Sequence, residues 1–126
     1  MMKSVRRLVG SIAIVSVLAA AHTPAVARTA YDGVWSVLII TEAGACDRAY
    51  RYPVEIVNGR LRHASEGDAS FMIAGRVQPR GTVSVSVSRG DQRASGVGRL
   101  SRRDGTGVWS APTGPCSGRW IAERRG

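Results

Sequence analysis

Lysine is nearly absent from this chain: Lys3 is the one example in 126 residues, and every cation beyond Arg7 is an arginine. Histidine occurs twice, as His22 and His63, and cysteine twice, as Cys46 and Cys116. Two thiols and His63, scattered without close ligand spacing, exclude the usual structural metal site. Phenylalanine occurs once, as Phe71. The longest apolar run, Leu8 to Ala21, is shorter than the roughly 20 residues a spanning helix needs. There is no phosphate-cradling glycine loop leading into a helix, and no strained elbow around any serine. These gaps leave little room for catalysis, and we expect no enzyme, no cofactor and no metal.

What is present begins with an export signal. Lys3, Arg6 and Arg7 precede the apolar run, and Ala25-Val26-Ala27 offers a small-x-small cleavage site, so residues 1–27 read as a signal peptide cut after Ala27. No cysteine follows at a position suited to lipid attachment. A single domain, 28–126, remains. Its fifteen arginines face nine carboxylates, a net charge of +6. An arginine-only basic set either recognises phosphate, carboxylate or sulfate groups through its bidentate fork or keeps the surface soluble. We expect no nucleic-acid partner. In the oxidising periplasmic or extracellular compartment that a signal peptide reaches, one pair of cysteines is one disulfide.

The domain alternates with period two. Trp35, Val37 and Ile39 share one face of a first strand at 33–41, and Tyr50, Tyr52, Val54 and Ile56 one face of a second at 49–57, where Pro53 belongs at a bulge or on an unpaired side. Asn58-Gly59 supplies the positive φ values of a tight hairpin into a third strand, with Leu61 and His63 inward. A polar loop at 64–69 leads to a fourth strand near 70–77 carrying Phe71, Ile73 and Val77. Val83, Val85 and Val87 then alternate with serines in a fifth. Glycine-rich segments at 94–100 and 107–109, and a last strand at 118–123, complete eight. Eight short strands on short links predict an all-β up-and-down meander, closed or nearly closed into a barrel. Closure brings the first and seventh links together at one end, which places Cys46 beside Cys116.

His63 at an inward position reads as a packed histidine. Trp35, Tyr50, Tyr52, Phe71, Trp109 and Trp120 read as core aromatics, with a ligand slot as the functional alternative, since a barrel of this size has room for at most one small ligand. Sorting charges by link parity gives two unlike ends. The odd-link end carries Asp47, Glu66, Asp68, Arg89 and Asp91, the expected loop contact surface, together with Glu42, Arg48 and Arg93. The even-link end carries Arg60, Arg80, Arg102, Arg103, Arg124 and Arg125, the candidate anion-binding set, against Asp32, Asp104 and Glu123.

Tyr31-Asp-Gly-Val-Trp-Ser36, Cys46-Asp-Arg-Ala-Tyr-Arg-Tyr52 with Asn58-Gly59, and Cys116-Ser-Gly-Arg-Trp120 resemble a family of small exported bacterial all-β proteins of unknown function. More distantly, the chain is similar to small secreted barrels such as periplasmic protease inhibitors and the lipocalin and avidin group. The resemblance implies an exported domain and assigns no functional residue. The expectation is a non-enzymatic binding module of unknown ligand, meeting an anionic envelope surface or a secreted protein. Its alternatives are an inhibitor of a secreted hydrolase, of protease or lysozyme type, and a carrier of a small ligand or haem. An inhibitor of that kind would offer an extended N-terminal trunk, whereas Arg28-Thr29-Ala30 alone separates the expected cleavage site from the first strand.

Overall fold

The computed structural model describes residues 10, 12–14, 29–64 and 71–126. The segment expected to be a signal peptide, 1–27, lies outside the part from which the fold is built, and Glu66 and Asp68 lie outside the described residues. Eight antiparallel strands follow in order: β1 (Gly33–Ala43), β2 (Ala49–Val57), β3 (Arg60–His63), β4 (Met72–Val77), β5 (Thr82–Arg89), β6 (Gln92–Leu100), β7 (Asp104–Ala111) and β8 (Cys116–Arg124). Each pairs with its neighbours in sequence, and β1 pairs with β8, so the meander closes into a barrel. β7 is longer than the sequence suggested, because Asp104 to Thr106 continue the ladder opposite Ile121 to Glu123. Glycines 105 and 107 hid that strand, since glycine weakens the alternation on which a strand is recognised.

Local chemistry fixes the turns. Asn58 at φ 54° and Gly59 at φ 76° form the two-positive turn of the β2–β3 hairpin, the conformation asparagine and glycine adopt most cheaply. Pro53 sits in regular register opposite Ser36, and its carbonyl accepts from the Ala64 amide at 3.4 Å just beyond the last β3 pair. Its missing N–H therefore faces the frayed end of β3, the unpaired side that proline requires.

The barrel is packed unevenly along its axis. At the even-link end the inward residues Trp35, Ile56, Val77, Val83, Leu100 and Ala122 are all buried. Towards the odd-link end the same inward rows continue as Val37, Ile39, Tyr50, Tyr52, Ile73, Val85, Val87 and Ala94, and these are only half-buried. One end is a close-packed core; at the other, Trp109, Cys116 and Trp120 of β7 and β8 stay buried while the rows of β1, β2, β4, β5 and β6 leave a hollow.

The closing seam between β1 and β8 is fastened at both ends. Cys46 and Cys116 form the expected disulfide at the odd-link end, with Cα atoms 6.1 Å apart. At the other end Trp35 pairs with Arg124, the Gly126 carbonyl accepts from the Val34 amide at 2.7 Å, and Arg125 donates back to Val34 at 2.7 Å.

Candidate functional site

The hollow half of the barrel is the candidate site. Its interior cavity measures about 120 Å³ and is walled by Val37, Ile39, Tyr52, Val85, Ala94 and Trp109 among others, with no carboxylate, histidine or thiol of the described residues on its surface. Above it a wider mouth of about 460 Å³ opens at the odd-link end. Tyr50, Tyr52, Phe71, Val87, Ala94 and Trp109 line both spaces, so the mouth has the interior as its floor. The rim adds Asp47 from the β1–β2 link, Arg89, Gln92 and Arg93 from the β5–β6 hairpin, and Thr113 from the β7–β8 link.

Small side chains at Ala94 and Gly96 on one wall help make the hollow. On β6 the inward row reads Ala94, Gly96, Gly98, Leu100, so only its two ends project into the barrel. The three tryptophans are held differently from one another. Trp35 Nε1 donates to the Tyr31 carbonyl at 2.9 Å and Trp109 Nε1 to the Ile40 carbonyl at 3.1 Å. Trp120 Nε1 is buried with no partner, beside Gly96. An unmet indole donor on a cavity wall costs about 1–3 kcal/mol, an amount that a bound acceptor would offset.

The side wall between β3 and β4 is made of rings rather than backbone. Only Arg60 and Leu61 of β3 pair with β4, through Arg76 and Gly75. Beyond them His63 packs edge-on against Phe71 at 4.1 Å between centroids, Phe71 against Tyr52 at 5.0 Å, and Tyr52 against Tyr50 at 5.0 Å. This row covers the gap where the ladder stops, with aromatic contacts in the stacking range. His63 is thus a packed wall residue; both its ring nitrogens are buried without a partner, and it lines neither space.

The sequence-predicted rim residues Asp47 and Arg89 line the mouth, whereas Asp91, at the tip of its hairpin, does not. Arg93, absent from the expected contact surface, does line it. The even-link arginines divide. Arg60, Arg80, Arg102, Arg103 and Arg125 are exposed, and Arg125 lies 3.7 Å from Glu123. Arg124 is different: its guanidinium donates to the carbonyls of Ala30 at 2.8 Å, Arg102 at 3.1 Å and Asp32, and lies 5.6 Å from the Trp35 ring centroid. It is a strut that locks the chain ends across the barrel floor, not a group free to meet an anion. An inward-outward assignment by period two does not reveal this role, because Arg124 acts along the barrel axis.

Asp32 completes that floor. Its burial, slight as it is, would raise the carboxyl pKa. Hydrogen bonds from Thr29 Oγ1 at 2.5 Å, the Asn58 amide at 2.7 Å and the Gly59 amide at 3.1 Å outweigh that and hold it below the ordinary carboxylate value. A lowered folded-state pKa contributes stability that is fully present above the unfolded value, about 3.9, and is lost as pH falls through the folded one. We expect Asp32→Ala to lower the melting temperature by a few degrees at neutral pH, with the gap to the parent chain narrowing below about pH 4. Melting curves at both pH values check this; a gap independent of pH would remove the charge from the account.

Among the described residues no cluster of three or more histidine, cysteine or carboxylate side chains is placed to hold a metal ion, and no helix is long and apolar enough to cross a membrane. Comparison with protein-family models, with curated proteins and with solved structures finds no match for this chain.

Proposed function

We propose that this chain is a non-enzymatic, exported binding module that takes a small apolar ligand into the open half of its barrel. The observation that carries the reading is the axial asymmetry: one continuous set of inward rows is close-packed at the even-link end and leaves about 120 Å³ of hydrocarbon-walled space at the other. An apolar cavity of about 150 Å³ is enough for benzene. The space here suits a ring or short branched chain of nearly that size, with the bulkier part of a ligand left in the mouth. Haem carriage gains no support, because a porphyrin is several times larger than benzene and His63 does not reach the cavity.

A small apolar probe such as toluene tests the reading. At about a hundredfold excess over Kd the bound state gains about 2.7 kcal/mol. In a domain of this size that raises Tm by more than about 10 °C. Ala94→Phe, which places a ring in the hollow, should abolish the shift. Absence of any shift in the parent chain across a panel of apolar probes would remove the proposal.

A second surface is supported by the five exposed arginines of the even-link end. We propose that it meets an anionic envelope surface electrostatically. Arg102 and Arg103 contribute their carbonyls to the fold, accepting from Arg124, while their side chains stand free in solvent. Replacing both by serine should therefore keep the fold and weaken binding to anionic phospholipid vesicles at low salt. Added salt should erase the difference. Binding that ignores both the substitution and the salt would reduce these arginines to solubilising surface.

A further inference from the structure

The chemistry of the ligand can be narrowed from the way the inward rows of β5 and β6 end. On β5 the inward row runs Val83, Val85, Val87, Arg89; the first three line the interior and the last lines the mouth. On β6 the corresponding row ends in Ala94 and Gln92, and Gln92 pairs directly across from Arg89. Apolar wall therefore gives way to a cation and an amide within two residues on adjacent strands, about 7 Å along the strand. Arg93 flanks the same side of the rim, and neither Arg89 nor Arg93 has a carboxylate partner among the described residues. Asp47 stands on the β1–β2 side of the mouth, so among the described residues the rim is cationic along one arc and anionic at one point.

We propose that the ligand is an amphiphilic organic acid: an apolar end of about benzene size sits in the interior against Val85, Val87 and Ala94, and its carboxylate is held at the rim by Arg89, with Gln92 and Arg93 beside it. This rests on the binding-module reading given above and specifies its ligand. A carboxylate fits the arrangement because guanidinium donates to it through two parallel N–H bonds, and the Gln92 amide supplies a further donor. The apolar end has to be short. The close-packed floor of Trp35, Ile56, Val77 and Leu100 stops anything longer from descending.

Three ligands sharing one ring and one chain length separate the possibilities: 3-phenylpropionate, 3-phenylpropanol and 3-phenylpropylamine, each titrated calorimetrically into the full chain. The expected order is acid tightest, alcohol about tenfold weaker and amine weakest, the tenfold corresponding to about 1.4 kcal/mol. High salt should shrink the acid's advantage and leave the alcohol's affinity unchanged. Arg89→Ser should erase the preference for the acid while the alcohol binds within about twofold of its parent value. A melting curve of that variant matching the parent confirms that the fold is kept. Acid and alcohol binding equally would overturn the carboxylate assignment and leave the apolar site standing. The amine binding tightest would overturn it in favour of Asp47. If none of the three binds and toluene gives no thermal shift, both this inference and the function beneath it fail.

Discussion

Chain lacking its disulfide, as Cys46→Ser with Cys116→Ser, is expected to melt far below the parent. The bond joins positions 70 residues apart, and removing a cross-link of that span costs about 4 kcal/mol when loop closure dominates. A domain of about 100 residues shifts by about 4–8 °C per kcal/mol, so the loss in Tm should approach or exceed about 16 °C. Two features of the site add to the expectation. Cys116 is buried in the core cluster, so a serine there leaves a hydroxyl in apolar surroundings. Cys46 also lines the mouth, so its release frees the β1–β2 link from the rim. Far-UV circular dichroism melts of the two proteins decide the matter; a difference of less than about 5 °C would mean that the strands alone hold the seam.

The other large effect is expected where β6 and β7 pass beneath Trp120. Gly98 and Gly107 form one cross-strand pair, and the indole lies on both. A Cβ at Gly98 would come within 2.4 Å of Trp120 Cζ2 and 2.3 Å of the Thr106 carbonyl. One at Gly107 would come within 2.5 Å of the indole and 2.1 Å of the Val97 carbonyl. Neither backbone nor buried ring can yield by that much without breaking the wall. Gly98→Ala or Gly107→Ala should each cost about 3 kcal/mol or more, at the upper end of overpacking effects. Gly114 has nothing within 4 Å of its added Cβ, and Gly114→Ala serves as the neutral control. Chemical denaturation of the three variants measures the contrast. Equal stabilities would show that the indole has another place to go.

These two results bear on how far the sequence discloses the molecule. The alternation of Val83, Val85 and Val87, the Tyr50–Ile56 row and the Asn58-Gly59 turn announce strands and register directly, because burial on one face of a sheet leaves a period of two. Link parity then places Cys46 by Cys116, a consequence of topology alone. The hollow is a different kind of fact. A row such as Ala94, Gly96, Gly98 states that side chains are missing, but whether a ring from another strand fills the space depends on three-dimensional packing. At Gly98 and Gly107 Trp120 does fill it; at Ala94 nothing does. Small residues in such a row are of both kinds, and only the folded packing separates them. Arg124 was illegible for a related reason: its three carbonyl partners come from segments 22 to 94 residues away. The rim was half legible, since parity put Asp47, Arg89, Asp91 and Arg93 at one end but could not show that Arg93 lines the mouth and Asp91 does not.

The seam between β1 and β8 also sets an order in time. Seven of the eight strand pairings join consecutive strands and can zip as hairpins, whereas the eighth must bring Trp35 to Arg124 across nearly the whole domain. Non-local pairing of this kind is slow, because chain entropy is surrendered before any contact rewards it. A chain in which it had not yet formed would be an open sheet with β1 as a free edge, and that edge carries Val37-Leu38-Ile39-Ile40, a run without charge or proline. Such an edge templates pairing with a second chain. Oxidation of Cys46 and Cys116 before the last ladder closes would tether the two edges and shorten that exposure. Refolding from the reduced state would leave β1 open to intermolecular pairing for longer, so the yield of monomer is governed by which event comes first.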